Sequence, residues 1–146
     1  MADLKPDSGA RIGLVIRHAY LWWSEARRGR EEGLKDRPCV IVHLLVNEHS
    51  ELETYICPIT HTPPEILEKA IEIPRATGTR LGLDEERSWV IATEVNRFIW
   101  PGPDLRAVPG GGCSYGLLPA AMTRDLIAQV KASAKDKSLL VVGRTD

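Results

Sequence analysis

No stretch of this 146-residue chain stays apolar over the roughly 18–20 residues that a membrane-spanning helix requires, so no such helix is expected. Met1 to Ala10 is polar, mixes Asp with Lys, and lacks the apolar centre of a secretory signal. It reads as a short flexible lead-in, with 11–146 as one domain. Cysteine is scarce and unpatterned. Cys39, Cys57 and Cys113 form an odd set at long spacings, without a CxxC or a Cys/His ligand pair. That argues against a zinc site and for free, buried thiols in a reducing cytoplasm. Net charge is lacking too, at −1, whereas a protein that grips nucleic acid through phosphates usually carries a basic face. Any such binding has to be local. There is no internal repeat and no low-complexity tract.

What is present is 43% hydrophobic and 27% charged residues, a balance that suits one domain around one core. Short runs rich in Val, Ile, Tyr and Trp, separated by Gly, Pro, Asn and Asp, read as strands. From about Arg11 to Trp23 the residues Ile12, Leu14, Ile16, His18, Tyr20 and Trp22 share one parity, as in a half-buried strand. Ser24 to Asp36 is charged and Gly-punctuated, hence a loop. Arg37 to Val46 and Leu52 to Ile59 read as a hairpin about Asn47 to Ser50. Thr62-Pro63-Pro64-Glu65 has the form of a capped helix start, and Ala70 to Pro74 turns extended again. Ser88 to Thr93 predicts a strand leading into an unusual segment, Glu94 to Arg106. Pro119 opens a helix whose Met122, Leu126, Ile127 and Val130 share a face, and Leu139 to Val142 adds a last strand. Many short strands with one terminal helix predict a mainly β fold, a strongly curved antiparallel sheet or small barrel.

Three patterns carry a family resemblance. They are Gly29-Arg30-Glu31-Glu32-Gly33 followed by Arg37-Pro38-Cys39-Val40-Ile41-Val42, then Pro58-Ile59-Thr60, then the strand from Ser88 through Glu94 to Arg97. In this order, each at the edge of an expected strand, they resemble the MazF/PemK toxins over most of residues 12 to 134. The resemblance implies an SH3-like β-barrel with a C-terminal helix. It also implies a homodimer, cofactor-free and metal-independent cleavage of single-stranded mRNA, and a cognate antitoxin protein that holds the toxin in check. The segment from Glu31 to Arg37 is one residue longer than in typical members. Asn96 to Arg106 and the tail Ser138 to Asp146 have no obvious counterpart, as in a divergent branch.

Metal-free RNA cleavage uses the substrate's own 2′-OH as nucleophile. The enzyme must help remove that proton, neutralise charge growing on the phosphoryl oxygens and protonate the leaving 5′ oxygen. Arg37 suits the second task, because its guanidinium is always charged and offers a planar fork to phosphate oxygens. Thr60 can donate a hydroxyl to the same phosphate. Glu31 matches the family's loop acid and is a candidate proton acceptor, as is His61 with its ordinary pKa near 6.5. Arg28 and Arg30 are candidate phosphate contacts, although the loop region is only +1 by count. Trp100, in a Pro/Gly-rich loop, is a candidate contact for RNA or antitoxin, while Trp89 reads as core. The alternative is a non-catalytic binding module on the same barrel, as in the gyrase-poisoning CcdB toxins or a degenerate PemK-like protein.

Overall fold

A computed structural model of the chain describes residues 9–29, 36–65, 69–84 and 86–144. Their order is β1 (Leu14–His18), α1 (Trp23–Arg27), β2 (Arg37–Val46), β3 (Leu52–Thr60), β4 (Ala70–Glu72), α2 (Arg75–Leu81), β5 (Trp89–Ile91), β6 (Glu94–Ile99), β7 (Leu105–Arg106), β8 (Ser114–Leu117), α3 (Ala120–Lys135) and β9 (Leu140–Gly143). The fold is therefore mainly β with a C-terminal helix. No helix among the described residues is long and apolar enough to cross a membrane.

The long hairpin of β2 and β3 is the spine of the sheet. Asn47 closes its turn, its Oδ1 accepting the backbone N–H groups of His49 and Glu51 at 2.9 and 3.0 Å. β1 lies antiparallel on β2, and β1's other edge is shared by β8 and β7. The far edge of β3 is shared as well: Glu53–Ile56 pair with β6, and Ile59–Thr60 pair with β5, which in turn carries β4. A strand that changes partner along its length belongs to a sheet that bends there. β9 runs parallel to β6 on the edge of an otherwise antiparallel sheet.

Both faces of this sheet are covered, and the strand geometry explains why. Successive side chains alternate in direction. Val40 and Val42 enter one core with Val15, Cys57, Val90, Val95 and Leu126 of α3, while Cys39 and Ile41 enter a second with Ile16, Tyr20, Ile56 and Phe98. A strand buried on both faces reads as a continuous apolar run, as Cys39–Val42 does. Cys39 and Cys57 are free and wholly buried, and burial pushes both thiols up, as expected of inert core cysteines.

Several sequence expectations are corrected. The strand expected from Arg11 to Trp23 stops at His18, and α1 occupies the start of the expected loop. Ile12 is 41% exposed, so the alternation does not extend that far back. Gly9 and Ala10 belong to the folded unit, with Ala10 buried in the second core. Glu94 to Arg106 is largely strand, because β6 fills the edge of β3. The short helix expected after Thr62–Glu65 falls on residues 66–68, which lie outside the described residues. A further short helix, α2, follows β4 and is stopped by Gly82 in the left-handed region at φ 77°. The tail is structural: beyond β9, the buried Arg144 pairs with Asp104 at 3.0 Å.

Candidate functional site

Cys39 of β2 faces Pro58 of β3, and two residues further out on each strand stand Arg37 and Thr60. The Arg37 Nη1 donates to the Ile59 carbonyl at 3.4 Å. Its guanidinium lies over the Trp22 ring, 5.1 Å from the centroid. The buried Nε has no hydrogen-bond partner among the described residues, and no carboxylate among them pairs with this cation.

Trp22 is brought there from a distance. β6 presents two buried polar side chains, Glu94 and Asn96, to the chain between β1 and α1. Asn96 accepts the Leu21 N–H at 2.9 Å and donates to the Leu21 carbonyl at 2.7 Å. Glu94 Oε2 accepts the Tyr20 hydroxyl at 2.9 Å and the Trp23 N–H at 3.1 Å. Glu25 reaches back to the Trp22 N–H at 3.0 Å, satisfying a donor that the helix start leaves open. Four bonds from β6 and one from α1 thus fix the residues on either side of Trp22.

The result is a cleft of about 470 Å³. Trp22, Pro63, Pro64 and Ile91 supply its apolar walls, Thr60, Thr62 and Thr93 its hydroxyls, Arg37 and Lys69 its cations, and Glu65 its carboxylate. Among the described residues the lining carries two cations against one carboxylate, a locally positive balance on a chain of net charge −1. The Thr60 Oγ1 accepts the Thr62 N–H at 3.1 Å, which leaves its own proton available to a ligand oxygen.

Of the residues singled out by sequence, Arg37 and Thr60 come together here. Glu31 and Arg30 lie outside the described residues. Arg28 is exposed at the end of α1 and does not line the cleft. His61 does not line it either: its Nδ1 sits 2.9 Å from the Arg87 carbonyl and its Nε2 2.8 Å from Asp84. These acceptors, the Arg87 carbonyl foremost, raise its pKa. Trp100 is a correction. It is 7% exposed and packs in the second core beside Phe98, so its ring is not offered to a base. Trp89 is core, as its sequence context predicts. Trp22, Glu65, Lys69 and Thr93 were not singled out as cleft residues. Only the pairing of β3 with β5, and of β5 with β4, draws Lys69 and Thr93 toward Arg37. No protein-family model and no curated protein matches the sequence.

Glu94 makes the clamp testable. Removing its carboxylate leaves the Tyr20 hydroxyl and Trp23 N–H unpaired, so Glu94→Ala should destabilise by about 2–4 kcal/mol in urea unfolding. Glu94→Gln, which keeps an acceptor, should cost less. Burial, ahead of every other influence, holds the Glu94 pKa above the usual carboxylate range. The folded state therefore binds this proton more tightly than the unfolded chain. That contribution to stability is full below the unfolded pKa and is lost as pH rises through the folded one. Glu94→Gln should remove that component from the pH–stability curve. Parallel curves for the two proteins would show that Glu94 is not the group titrating.

Proposed function

We propose that this cleft binds single-stranded RNA and that the protein is a metal-independent endoribonuclease of the MazF/PemK type. The supporting observation is that Arg37 and Thr60, 23 residues apart in sequence, line one locally positive cleft with a tryptophan wall. In this reading the substrate's 2′-oxygen attacks the adjacent phosphorus, and the bond to the 5′ oxygen breaks. The products are a 2′,3′-cyclic phosphate and a 5′-hydroxyl end. Arg37 neutralises the charge developing on the phosphoryl oxygens, and the Thr60 hydroxyl donates to one of them. The resemblance assigns the proton acceptor to Glu31, and Glu65 is the carboxylate on the cleft lining, so both enter the test. The same resemblance supports an SH3-like barrel for the bent sheet, a homodimer, a cytoplasmic setting, and an antitoxin whose extended segment covers the cleft.

The experiment is incubation of the full chain with a long single-stranded RNA in the presence of EDTA, beside Thr60→Ala, Glu31→Gln and Glu65→Gln. Wild type should cut at a restricted set of positions and leave 5′-hydroxyl ends. Loss of a hydrogen bond to a charged phosphate predicts a slowing of about 10- to 100-fold for Thr60→Ala. Whichever Gln variant slows cleavage and flattens its pH profile identifies the acceptor. RNA left intact by wild type sinks the nuclease reading. RNA bound in a gel shift but uncut selects the non-catalytic binding module.

A further inference from the structure

We propose that His61, Asp84 and Glu86 form a binding site for a divalent transition-metal ion of the zinc class, outside the RNA cleft. One ligand atom from each side chain lies within 4.8 Å of the others, and all three residues are exposed, so a hydrated ion can reach them. The hydrogen bonding around His61 gives this trio a direction. Its Nδ1 is 2.9 Å from the Arg87 carbonyl, and a carbonyl oxygen only accepts, so Nδ1 carries the proton. In the neutral ring the lone pair is then on Nε2, which faces the Asp84 Oδ2 at 2.8 Å. Two lone pairs pointed at one another demand a cation between them. A proton bridges that pair alone, whereas a metal ion engages Nε2 and both carboxylates together.

Two further observations favour the metal. A backbone carbonyl on the far ring nitrogen is the arrangement that fixes the tautomer and raises the basicity of a metal-ligating histidine. The cation next in the chain, Arg87, is committed elsewhere: its Nε and Nη2 grip the Glu72 carboxylate at 2.8 and 2.9 Å. It makes no ion pair with Asp84 or Glu86 among the described residues. One imidazole nitrogen with two carboxylates suits zinc, cobalt or nickel, whereas calcium takes six to eight oxygens and magnesium a near-octahedral oxygen shell. On binding, Nε2 and Oδ2 separate to about 3.4 Å, the edge of a tetrahedron with zinc bonds near 2.1 Å. Two exposed side chains accommodate that by rotation. The ion would staple the residues after α2 to the end of β3, beside Thr60.

Titration calorimetry with Zn²⁺ on the full chain tests this, with Mg²⁺ as the comparison. The expected result is saturable uptake of one Zn²⁺ per chain and no matching uptake of Mg²⁺. His61→Ala and Glu86→Gln should each weaken it by about tenfold or more, with unchanged far-UV circular dichroism. Cys113→Ser should leave it intact. Cobalt in place of zinc should show visible ligand-field bands without thiolate charge transfer. No saturable uptake overturns the site, as does uptake indifferent to His61→Ala or abolished by Cys113→Ser. RNA cleavage in EDTA is read separately, so either proposal can fail while the other stands.

Discussion

Arg37→Ala is expected to slow the proposed RNA cleavage by about 10²- to 10³-fold, the usual cost of removing one oriented donor aimed at transition-state charge. The size of the effect follows from how the side chain is held. The Trp22 ring supports the guanidinium and the Ile59 carbonyl takes one N–H. The buried Nε has no partner among the described residues, and the guanidinium is held on the cleft lining with little reorganisation needed to meet a phosphate. Arg37→Lys keeps the charge but loses both the planar fork and much of the stacking on Trp22, so it should recover only part of the rate. The loss should fall on kcat more than on KM, because charge on the phosphoryl oxygens grows only as the bond breaks. Single-turnover cleavage of a short RNA, with circular dichroism to verify folding, is the measurement. An Arg37→Ala protein that cuts at the wild-type rate would place the chemistry elsewhere.

The largest stability effect is expected at His18 and is driven by pH. This ring is 0% exposed, packs at a tilt against Phe98 at 4.5 Å between centroids, and has no hydrogen-bond partner at either nitrogen among the described residues. Burial, then the nearby Arg144 and Arg106 charges, lowers its pKa from 6.5 to about 3. The unfolded chain takes up this proton near 6.5 and the folded chain resists it. The stability this confers is thus whole above pH 6.5 and is lost progressively as pH falls toward 3. At about 1.4 kcal/mol per pH unit the total approaches 5 kcal/mol, against the 5–15 kcal/mol by which most domains are stable. His18→Leu has no proton to gain and places an apolar side chain where the imidazole nitrogens lack partners. It should match or exceed wild type near pH 5 while remaining within about 1–2 kcal/mol of it at pH 7. Urea unfolding of both proteins at pH 7, 5.5 and 4.5 decides it. Carboxylates titrate in both, so the difference between the curves isolates His18. A difference that does not change with pH would refute the assignment.

The parts of the fold that could be read from the chain are those whose cause is local. β2 begins at Arg37 and ends at Val46, as its apolar run and the following Asn47 turn predict. α3 begins after Pro119, where proline's fixed φ suits a helix entry. Expectations failed where the cause was a distant partner. Arg11 to Trp23 has the alternation of one long strand, yet Glu94 and Asn96, over 70 residues away, take the polar groups of Tyr20, Leu21 and Trp23 and turn the chain into α1. Within Glu94 to Arg106, which the sequence marks only as unusual, β6 pairs with the edge of β3.

The same division runs through the site. Residue chemistry and order were enough to single out Arg37 and Thr60, because a fork-shaped cation opening one strand and a hydroxyl closing its neighbour are local facts, and hairpin pairing brings them together. The Trp22 wall, the second cation Lys69 and the carboxylate Glu65 came only from the tertiary structure. So did the assignment of Trp100 to the core and of His61 to Asp84. Periodicity records which side of its own strand a residue faces. It carries no record of which distant strand will lie against that side, and here that pairing built the cleft.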